Sequence, residues 1–216
     1  MNDYHMEYNM QRLAYIENRM AAANPLNRMT LDEWRTQRLV SLLGDTHRMS
    51  KASMTAGTFP IIGMIKNELS HKAYLLTGVT GTGKTYCGYA LLHHFSVGGT
   101  EDAPITRNIQ SVDALTLEEM VLRNDYEGLE RLKRVDVLLI DDLGTEANRY
   151  KGDDFKAVFN AIFNHRYNHT DKITIITTNI SIDELKKSYE RVISRIKEIG
   201  IVQSAGVKDL RKGNSQ

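Results

Sequence analysis

One stretch of the chain decides its fold: Gly78-Val79-Thr80-Gly81-Thr82-Gly83-Lys84-Thr85, called the P-loop below. The spacing of its glycines lets the backbone wrap with its N–H groups pointing inward at phosphate oxygens, while the following helix presents its positive N-terminal end. Lys84 is placed to reach the β- and γ-phosphates, and the Thr85 hydroxyl is placed to bind a magnesium ion. The P-loop therefore predicts binding of ATP with Mg²⁺.

Short apolar runs around the P-loop alternate with amphipathic stretches from His71 onward. This alternation is typical of β-α-β units that build a mostly parallel, buried sheet, so the fold class is α/β. The P-loop follows a predicted strand and opens a predicted helix, as this motif requires, which disfavours a glycine-rich turn without a ligand. The predicted strands are Ala73–Thr77, Ile105–Ile109, Val135–Ile140, Ile173–Thr178 and a weaker one at Ile201–Ser204.

The composition limits the class of protein. The 216 residues are 41% hydrophobic and 25% charged, enough to bury a full core as one domain. A net charge of +1 gives no global field that attracts nucleic acid or acidic lipid, so any DNA contact must be a local patch. The single cysteine, Cys87, excludes an internal disulfide, and no apolar run approaches the roughly 20 residues that span a bilayer. We expect a cytoplasmic protein with no membrane partner.

Two helices are predicted before the first strand. Apolar residues recur at steps of three and four over Met6–Met20, which predicts a short amphipathic helix. Thr30 and Glu33 have the spacing of a capping box, and Gly44 supplies a stop, so a helix is expected over Leu31–Leu43. We divide the chain into an N-terminal segment, 1–25, and a core, 26–216.

Two carboxylates follow the predicted strand Val135–Ile140. Mg²⁺ needs a carboxylate held rigidly at the end of a strand beside the P-loop. Asp141 is the predicted magnesium ligand, together with Thr85, and Asp142 is predicted to polarise the attacking water. The alternative is an acidic turn at a strand end, which the P-loop upstream disfavours.

Three more residues are candidates for work at the γ-phosphate. Asn179 follows the strand Ile173–Thr178, at the edge where ligands of open α/β sheets bind, and there it would orient water. Asn is also a common strand-end and helix-cap residue. Arg191 and Arg195 lie four apart on one predicted helix, so their guanidinium groups point the same way. Two interpretations stay open for this pair: contact with the γ-phosphate of a neighbouring subunit, or surface ion pairs with nearby glutamates.

The order of these motifs resembles the DnaC/DnaI helicase loaders and the IstB transposition helper ATPases, within the AAA+ superfamily. The resemblance covers roughly Met29 to Arg211. Four strings carry it together: Gly78–Thr85, Leu138-Leu139-Ile140-Asp141-Asp142-Leu143-Gly144, Thr177-Thr178-Asn179, and Glu190-Arg191-Val192-Ile193-Ser194-Arg195-Ile196.

The resemblance implies a three-layer ATPase domain whose active site is completed only between subunits. Asn179 then matches sensor 1, and Arg195 best matches the arginine finger that acts in trans, with Arg191 beside it. Monomers should be poor ATPases, and the working form should be a ring or spiral of identical subunits. Similar family members carry Asp rather than Glu directly after the first aspartate, and Asp142 shows the same choice. Asp is one methylene shorter than Glu and should hold water less well, which is consistent with a slow switch. Arg211 resembles the family's C-terminal arginine near the nucleotide; a solvated basic tail is the alternative.

The resemblance further implies a loader of a replicative, DnaB-like helicase. ATP-bound subunits would assemble with the helicase and single-stranded DNA, and slow hydrolysis would release the helicase. Loaders of this group usually carry a larger N-terminal domain, whereas only residues 1–25 precede the core here, and no sequence is left after the core for a helical lid. The segment Met6–Met20 either docks a helicase as a helix in a groove or covers the protein's own core.

Two other functions remain open: an IstB-like transposition helper ATPase on duplex DNA, and a nucleotide-dependent adaptor that signals by binding without turnover. Family ATPases line a central channel with basic residues. Such a lining would bind single strands mainly through phosphate charge. The candidate residues are Arg107, Arg123, Arg131, Lys133, Arg134, Arg149 and Lys151.

Overall fold

The computed structural model describes residues 29–55, 59–144 and 153–206. The predicted N-terminal segment and Arg211 lie outside the described residues. In chain order the elements are α1 (Leu31–Leu43), α2 (Pro60–Ile65), β1 (Ala73–Thr77), α3 (Lys84–Ser96), β2 (Val97–Thr100), β3 (Ala103–Thr106), β4 (Ile109–Asp113), α4 (Ala114–Leu122), α5 (Tyr126–Arg134), β5 (Val137–Leu143), α6 (Asp153–Tyr167), β6 (Ile173–Thr178), α7 (Ile182–Ile199) and β7 (Gly200–Ser204).

Five strands form one parallel sheet in the order β4-β5-β6-β1-β7. The predicted five-stranded α/β fold is thereby confirmed. β6 lies between β1 and β5, so the strand before the P-loop is not adjacent to the strand that carries the two aspartates. Because all strands run the same way, β1, β5 and β6 end at one edge, called the carboxyl edge below. The opposite edge, where they begin, is called the amino edge.

Helices cover both faces of the sheet and make three layers. Alternate residues of β1 point to opposite faces, so Leu75 joins one apolar cluster and Leu76 joins the other. The cluster around Leu76 includes side chains of α1, α2 and α3, whereas the cluster around Leu75 includes side chains of α4, α5, α6 and α7. In the described parts of the chain, no helix is long and apolar enough to cross a membrane.

Local sequence signals set several element boundaries correctly. The capping box at the start of α1 is confirmed, because Thr30 Oγ1 accepts from Glu33 N at 3.2 Å and Glu33 Oε2 accepts from Thr30 N at 2.7 Å. The bounds predicted for α1, β1 and β6 agree with the structure. Three phenylalanines of α6, Phe155, Phe159 and Phe163, are buried in the apolar cluster on one face of the sheet.

The strand predicted at Ile105–Ile109 was wrong. The chain forms an antiparallel hairpin, β2–β3, and then a separate strand, β4, which enters the sheet. Arg107 and Asn108 separate the two, because Arg107 N donates to Ser96 O at 2.9 Å while Asn108 O accepts from Val137 N at 3.0 Å. The apolar residues on either side of this junction look like one run in the sequence.

The P-loop helix lies unusually close to the sheet because of one glycine. A Cβ on Gly88 would come within 2.9 Å of Leu139 Cδ1 on β5 and within 3.1 Å of Thr177 Cγ2 on β6. A side chain at this position would require the side chains of Leu139 and Thr177 to move. Gly88 therefore brings the start of α3 next to the polar ends of β5 and β6.

A buried arginine ties the amino edge together. Arg166, on the last turn of α6, is 2% exposed. Its guanidinium donates to Val135 O at 2.6 Å, to Ile173 O at 2.6 Å and to Thr174 Oγ1 at 2.9 Å. Burial lowers the pKa of Arg166 to about 10, so it stays charged at neutral pH. One side chain thus joins the end of α5 to the starts of β5 and β6.

We predict that Arg166→Lys lowers the free energy of unfolding by about 3 kcal/mol, because an ammonium group cannot replace a planar fork and leaves buried carbonyls without donors. Urea unfolding followed by circular dichroism measures this loss. The matched control is Arg123→Lys, since Arg123 is exposed and pairs only at 3.5 Å with Glu119; its effect should stay within about 0.5 kcal/mol. Equal stabilities of the two variants would contradict the assignment.

Candidate active site at the carboxyl edge

The P-loop joins β1 to α3 at the carboxyl edge. Gly83, directly before α3, has φ +88°, which is the left-handed region that favours glycine. A Cβ at this position would also lie 2.4 Å from the ring of Phe59. Both the backbone angle and the close ring therefore require glycine where the loop turns into the helix.

The loop holds its own lysine. Lys84 is the first residue of α3 and is 5% exposed. Its Nζ donates to Val79 O at 2.8 Å, and Thr82 Oγ1 donates to the same carbonyl at 2.9 Å. An ammonium group thus lies inside the loop, where a phosphate oxygen would compete with the Val79 carbonyl for it.

Asp141 is joined to two neighbouring elements by its carboxylate. Thr85 Oγ1 on α3 donates to Asp141 Oδ1 at 3.1 Å, and Thr177 Oγ1 on β6 donates to the same oxygen. Burial raises the pKa of Asp141 above its ordinary value; the hydrogen bonds from Thr177 and Thr85 partly offset this rise, and the Asp142 carboxylate adds to it. A half-buried carboxylate of this kind is better stabilised with a cation beside it.

Asp142 lies at a break in the sheet. The register of β5 against β6 shifts between Ile140 and Leu143, and Asp142 has φ +61°, a left-handed conformation that non-glycine residues seldom adopt. Its N–H donates to Thr177 Oγ1 at 2.9 Å, and its Oδ1 accepts from Asn179 Nδ2. The bulge therefore directs the second carboxylate towards Asn179.

These contacts connect the P-loop to the strand ends through two bridges. In the first, Thr85 bonds to Asp141. In the second, Thr80 Oγ1 donates to Asn179 Oδ1 at 3.4 Å, and Asn179 in turn bonds to Asp142. The site is thus a connected set of hydroxyl, amide and carboxylate groups around the mouth of the P-loop.

The oxygen atoms of this set suit a magnesium ion. Mg²⁺ prefers carboxylate and hydroxyl oxygens and usually keeps several waters. Thr85 Oγ1 and Asp141 Oδ1 lie 3.1 Å apart, one from the P-loop helix and one from a strand end, so one ion between them would be held by both elements. These residues fit the predicted cofactor.

The family follows from a sequence comparison. Residues 74–203, more than half of the chain, match the model for the ATPase family associated with various cellular activities (AAA). The chain belongs to the AAA ATPase family. No curated protein matches it in sequence.

Three solved structures share the fold of this AAA ATPase. A DnaC helicase loader has a TM-score of 0.55 at 22% identity, with 76% of this chain and 100% of that chain covered. DnaI has a TM-score of 0.53 at 22% identity, with 72% of this chain and 92% of the DnaI chain covered. AMPPCP-bound DnaA from Aquifex aeolicus has a TM-score of 0.54 at 20% identity. That alignment includes 71% of this chain and 50% of the DnaA chain.

The two candidate arginines lie away from the other site residues. Both are on α7, which leads from the carboxyl edge back to the amino edge, where β7 begins beside Ala73. Arg191 is exposed. Arg195 is half-buried: its Nη1 donates to Asn164 Oδ1, and its guanidinium carbon lies 4.8 Å from the centre of the Tyr167 ring. Arg195 is therefore fixed on α6.

Arg195 lies nearer the amino edge of the sheet, whereas the P-loop lies at the carboxyl edge. Arg195 comes four residues before α7 ends and the first residue of β7 pairs with the first residue of β1. The P-loop begins after the last residue of β1, and five strand residues span about 17 Å. Arg195 and the P-loop of the same chain therefore lie towards opposite edges of the sheet.

Thr177 is the site residue to which sequence reasoning gave no role. It was part of the string before Asn179, but its hydroxyl, and not that of Thr178, faces both aspartates. The alternation of side chains along β6 offered a signal, because Thr177 and Asn179 differ by two positions and so point to the same side.

The raised pKa of Asp141 predicts a pH-dependent gain in stability for Asp141→Asn without nucleotide or Mg²⁺. In wild type, the folded state binds this proton more tightly than the unfolded state, whose carboxyl has a pKa of about 3.9, so stability falls as pH rises through the folded pKa. The asparagine avoids this loss and still accepts from Thr85 and Thr177.

Urea unfolding between pH 4 and pH 7 tests this prediction. The variant should be at least as stable as wild type at pH 7, and its advantage should shrink towards pH 4. With ATP and Mg²⁺ the order should reverse, because only wild type gains binding energy from the ion. A variant that is less stable than wild type at pH 7 without ligands would contradict the assignment.

Proposed function

We propose that this protein is a Mg²⁺-dependent ATPase that loads a replicative helicase onto single-stranded DNA. The observation that carries the ATPase part is the connected set of Thr85, Asp141, Thr177, Asp142 and Asn179 at the mouth of the P-loop. In this proposal Lys84 binds the β- and γ-phosphates. Thr85 and Asp141 hold Mg²⁺, and Asp142 and Asn179 orient the attacking water.

We assign Arg195 as the residue that contacts the γ-phosphate of a neighbouring subunit. Its place near the amino edge supports action in trans, and the contacts with Tyr167 and Asn164 support a rigid position, because a planar guanidinium on an aromatic face loses little freedom. The working form is then a ring or spiral of identical subunits.

Mixed oligomers test the shared site. Asp142→Asn should bind ATP without turnover, and Arg195→Ala should bind ATP with turnover lowered about 10³-fold, as for other arginine fingers. In an equal mixture, about one interface in four pairs an intact ATP site with an intact Arg195, so turnover should return. Arg191→Ala is the matched control and should keep turnover by itself. A mixture as inactive as its components would contradict action in trans.

The proposed partner rests on the comparison with solved structures. The chain covers the whole of a DnaC helicase loader structure but only half of the DnaA structure. A helicase loader is therefore the better-supported role among these replication proteins. We propose that residues 1–25 form a separate short segment that docks the helicase.

Pull-down of the replicative helicase from the same source tests this role. Full-length protein with ATP should retain the helicase, whereas Lys84→Ala, which lacks nucleotide binding, and a chain lacking residues 1–25 should lose it. Failure of full-length protein to bind the helicase with or without ATP would sink the loader proposal. Recruitment of a transposase on duplex DNA would favour the transposition helper instead.

The basic residues that were candidates for DNA contact have different surroundings in the structure. Arg107 donates to Phe95 O at 3.1 Å, and Arg123 pairs with Glu119, so both have partners within the chain. Arg149 and Lys151 lie outside the described residues. Arg131 and Arg134 line an open groove of about 1010 Å³ at the amino edge.

We propose that this groove, which includes Arg38, Tyr126, Arg131, Arg134 and Lys172, contacts single-stranded DNA. Tyr126 is 72% exposed and offers a face for base stacking, while the arginines offer charge to the phosphates. Acidic residues also line the groove: Arg134 pairs with Glu130 at 4.0 Å, and Lys172 pairs with Asp136 at 3.0 Å. The expected binding is therefore weak per subunit and depends on assembly.

Fluorescence anisotropy of labelled oligonucleotides tests the groove. The double change Arg131→Ala with Arg134→Ala should weaken binding of single strands about tenfold and reduce its salt dependence, because two phosphate contacts are lost. Arg123→Ala, another exposed arginine, is the control and should bind as wild type does. Unchanged binding by the double variant, or tighter binding of duplex than of single strands, would contradict the proposal.

A further inference from the structure

Thr177 is buried at the centre of the site and contacts both aspartates. It is 1% exposed. Its hydroxyl donates to Asp141 Oδ1 and accepts from Asp142 N at 2.9 Å. We infer that Thr177 is a positioning residue for ATP hydrolysis, which sets the magnesium carboxylate and the backbone of the water-orienting aspartate together; this inference rests on the ATPase function proposed above.

The chemistry of a hydroxyl explains why threonine serves here. A hydroxyl has one proton to donate and lone pairs that accept. The Asp142 N–H is a donor, so it can meet only a lone pair of Thr177; the proton of Thr177 is then available for Asp141. The hydroxyl thus donates in one bond and accepts in the other, and an apolar side chain of the same shape can do neither.

The contact with Asp142 replaces a bond of the sheet. Regular pairing of β5 with β6 ends at Ile140 and resumes at Leu143, and between them Asp142 adopts φ +61°. Its N–H bonds to the Thr177 side chain, so the hydroxyl stabilises the bulge by giving this buried donor an acceptor. The direction of the Asp142 carboxylate depends on that bulge.

The methyl group of Thr177 fixes the direction of the hydroxyl. A Cβ added to Gly88 on α3 would lie 3.1 Å from Thr177 Cγ2, so the methyl group already packs against the P-loop helix. A β-branched side chain has few rotamers, and packing of its methyl group selects one. Thr177 thereby relates the position of α3 to the position of both carboxylates.

Thr177 can keep its hydrogen bond to Asp141 when the Thr85 hydroxyl binds the magnesium ion. Thr85 and Thr177 both donate to Asp141 Oδ1 in the structure. Because the Thr85 oxygen is the proposed magnesium ligand, Thr177 is the donor that continues to orient Asp141. Its removal should therefore change magnesium dependence more than it changes the affinity for ATP.

Steady-state ATP hydrolysis by full-length protein tests the inference. Thr177→Val removes the hydroxyl and keeps the shape. We expect kcat to fall about 10–100-fold and the Mg²⁺ concentration for half-maximal turnover to rise about tenfold, as for other groups that orient metal ligands. The KM for ATP should change less than about threefold. Thr177→Ser keeps the hydroxyl and should restore both quantities to within about threefold of wild type.

Thr178→Val is the matched control for loss of a buried hydroxyl. Thr178 is fully buried, and its Oγ1 donates to Leu143 O at 2.6 Å on the same pair of strands without touching either carboxylate. This variant should lower thermal stability and leave the magnesium dependence of turnover unchanged. If Thr177→Val does not fold, Thr177→Ala and Thr177→Ser form the second pair, since both lack the methyl group and only alanine lacks the hydroxyl.

The outcomes separate this inference from the proposed function. Wild-type protein without turnover at any protein concentration would contradict the ATPase proposal itself. Wild-type turnover together with an unchanged kcat and magnesium dependence in Thr177→Val, or in Thr177→Ala if that pair is used, would overturn only the role of Thr177. The same holds if serine is as defective as valine or alanine, or if Thr178→Val shows an equal shift in magnesium dependence.

Discussion

The Asp141 carboxylate accepts from two threonines, and this pair of hydrogen bonds joins the parts of the site. Thr85 comes from the helix that the P-loop begins, and Thr177 comes from the central strand β6. The carboxylate is half-buried, so donors or a cation must offset the free energy spent on its desolvation. Gly88 lets α3 pack closely on β5 and β6, where Thr85 reaches the carboxylate, and Thr177 reaches it from the neighbouring strand. An apolar residue in place of Thr85 or Asp141 would remove the hydrogen bond between the P-loop helix and β5.

The parallel sheet then divides the molecule by its two edges. The carboxyl edge holds the P-loop, both aspartates and Asn179, whereas Arg195, the buried Arg166 and the groove lie towards the amino edge. Residues at opposite edges cannot meet within one subunit, since a strand of five residues already spans about 17 Å. In the proposed assembly, the arginine near the amino edge of one subunit would contact the nucleotide at the P-loop of its neighbour. Stacking of Arg195 on the Tyr167 ring restricts its guanidinium to one position, so little conformational entropy would be lost when it binds a phosphate.

Prediction from sequence succeeded where the signal is local. The capping box of Thr30 and Glu33, the P-loop and the apolar runs of β1 and β6 depend on neighbours in the chain, and the structure has them where expected. The bulge at Asp142 and the role of Thr177 depend on a contact between two residues that are 35 positions apart on different strands. Alternation along β6 indicated the side to which Thr177 points, but the pattern along the chain did not show which residue it contacts. Arg166 was missed for a related reason: arginine is almost never fully buried, and only its contacts with three segments of backbone explain this exception. The strand predicted at Ile105–Ile109 was wrong because the hairpin strand β3 and the sheet strand β4 are separated there by only two residues.

The central claim is that one subunit carries half of an ATP site and that a neighbour completes it. The most direct measurement is ATP turnover per subunit at saturating ATP and Mg²⁺ over a wide range of protein concentration, with assembly followed in parallel by light scattering. The account predicts that turnover per subunit is low in dilute solution, rises steeply as subunits assemble, and then becomes constant. Turnover per subunit that is the same in monomer and assembly would contradict it.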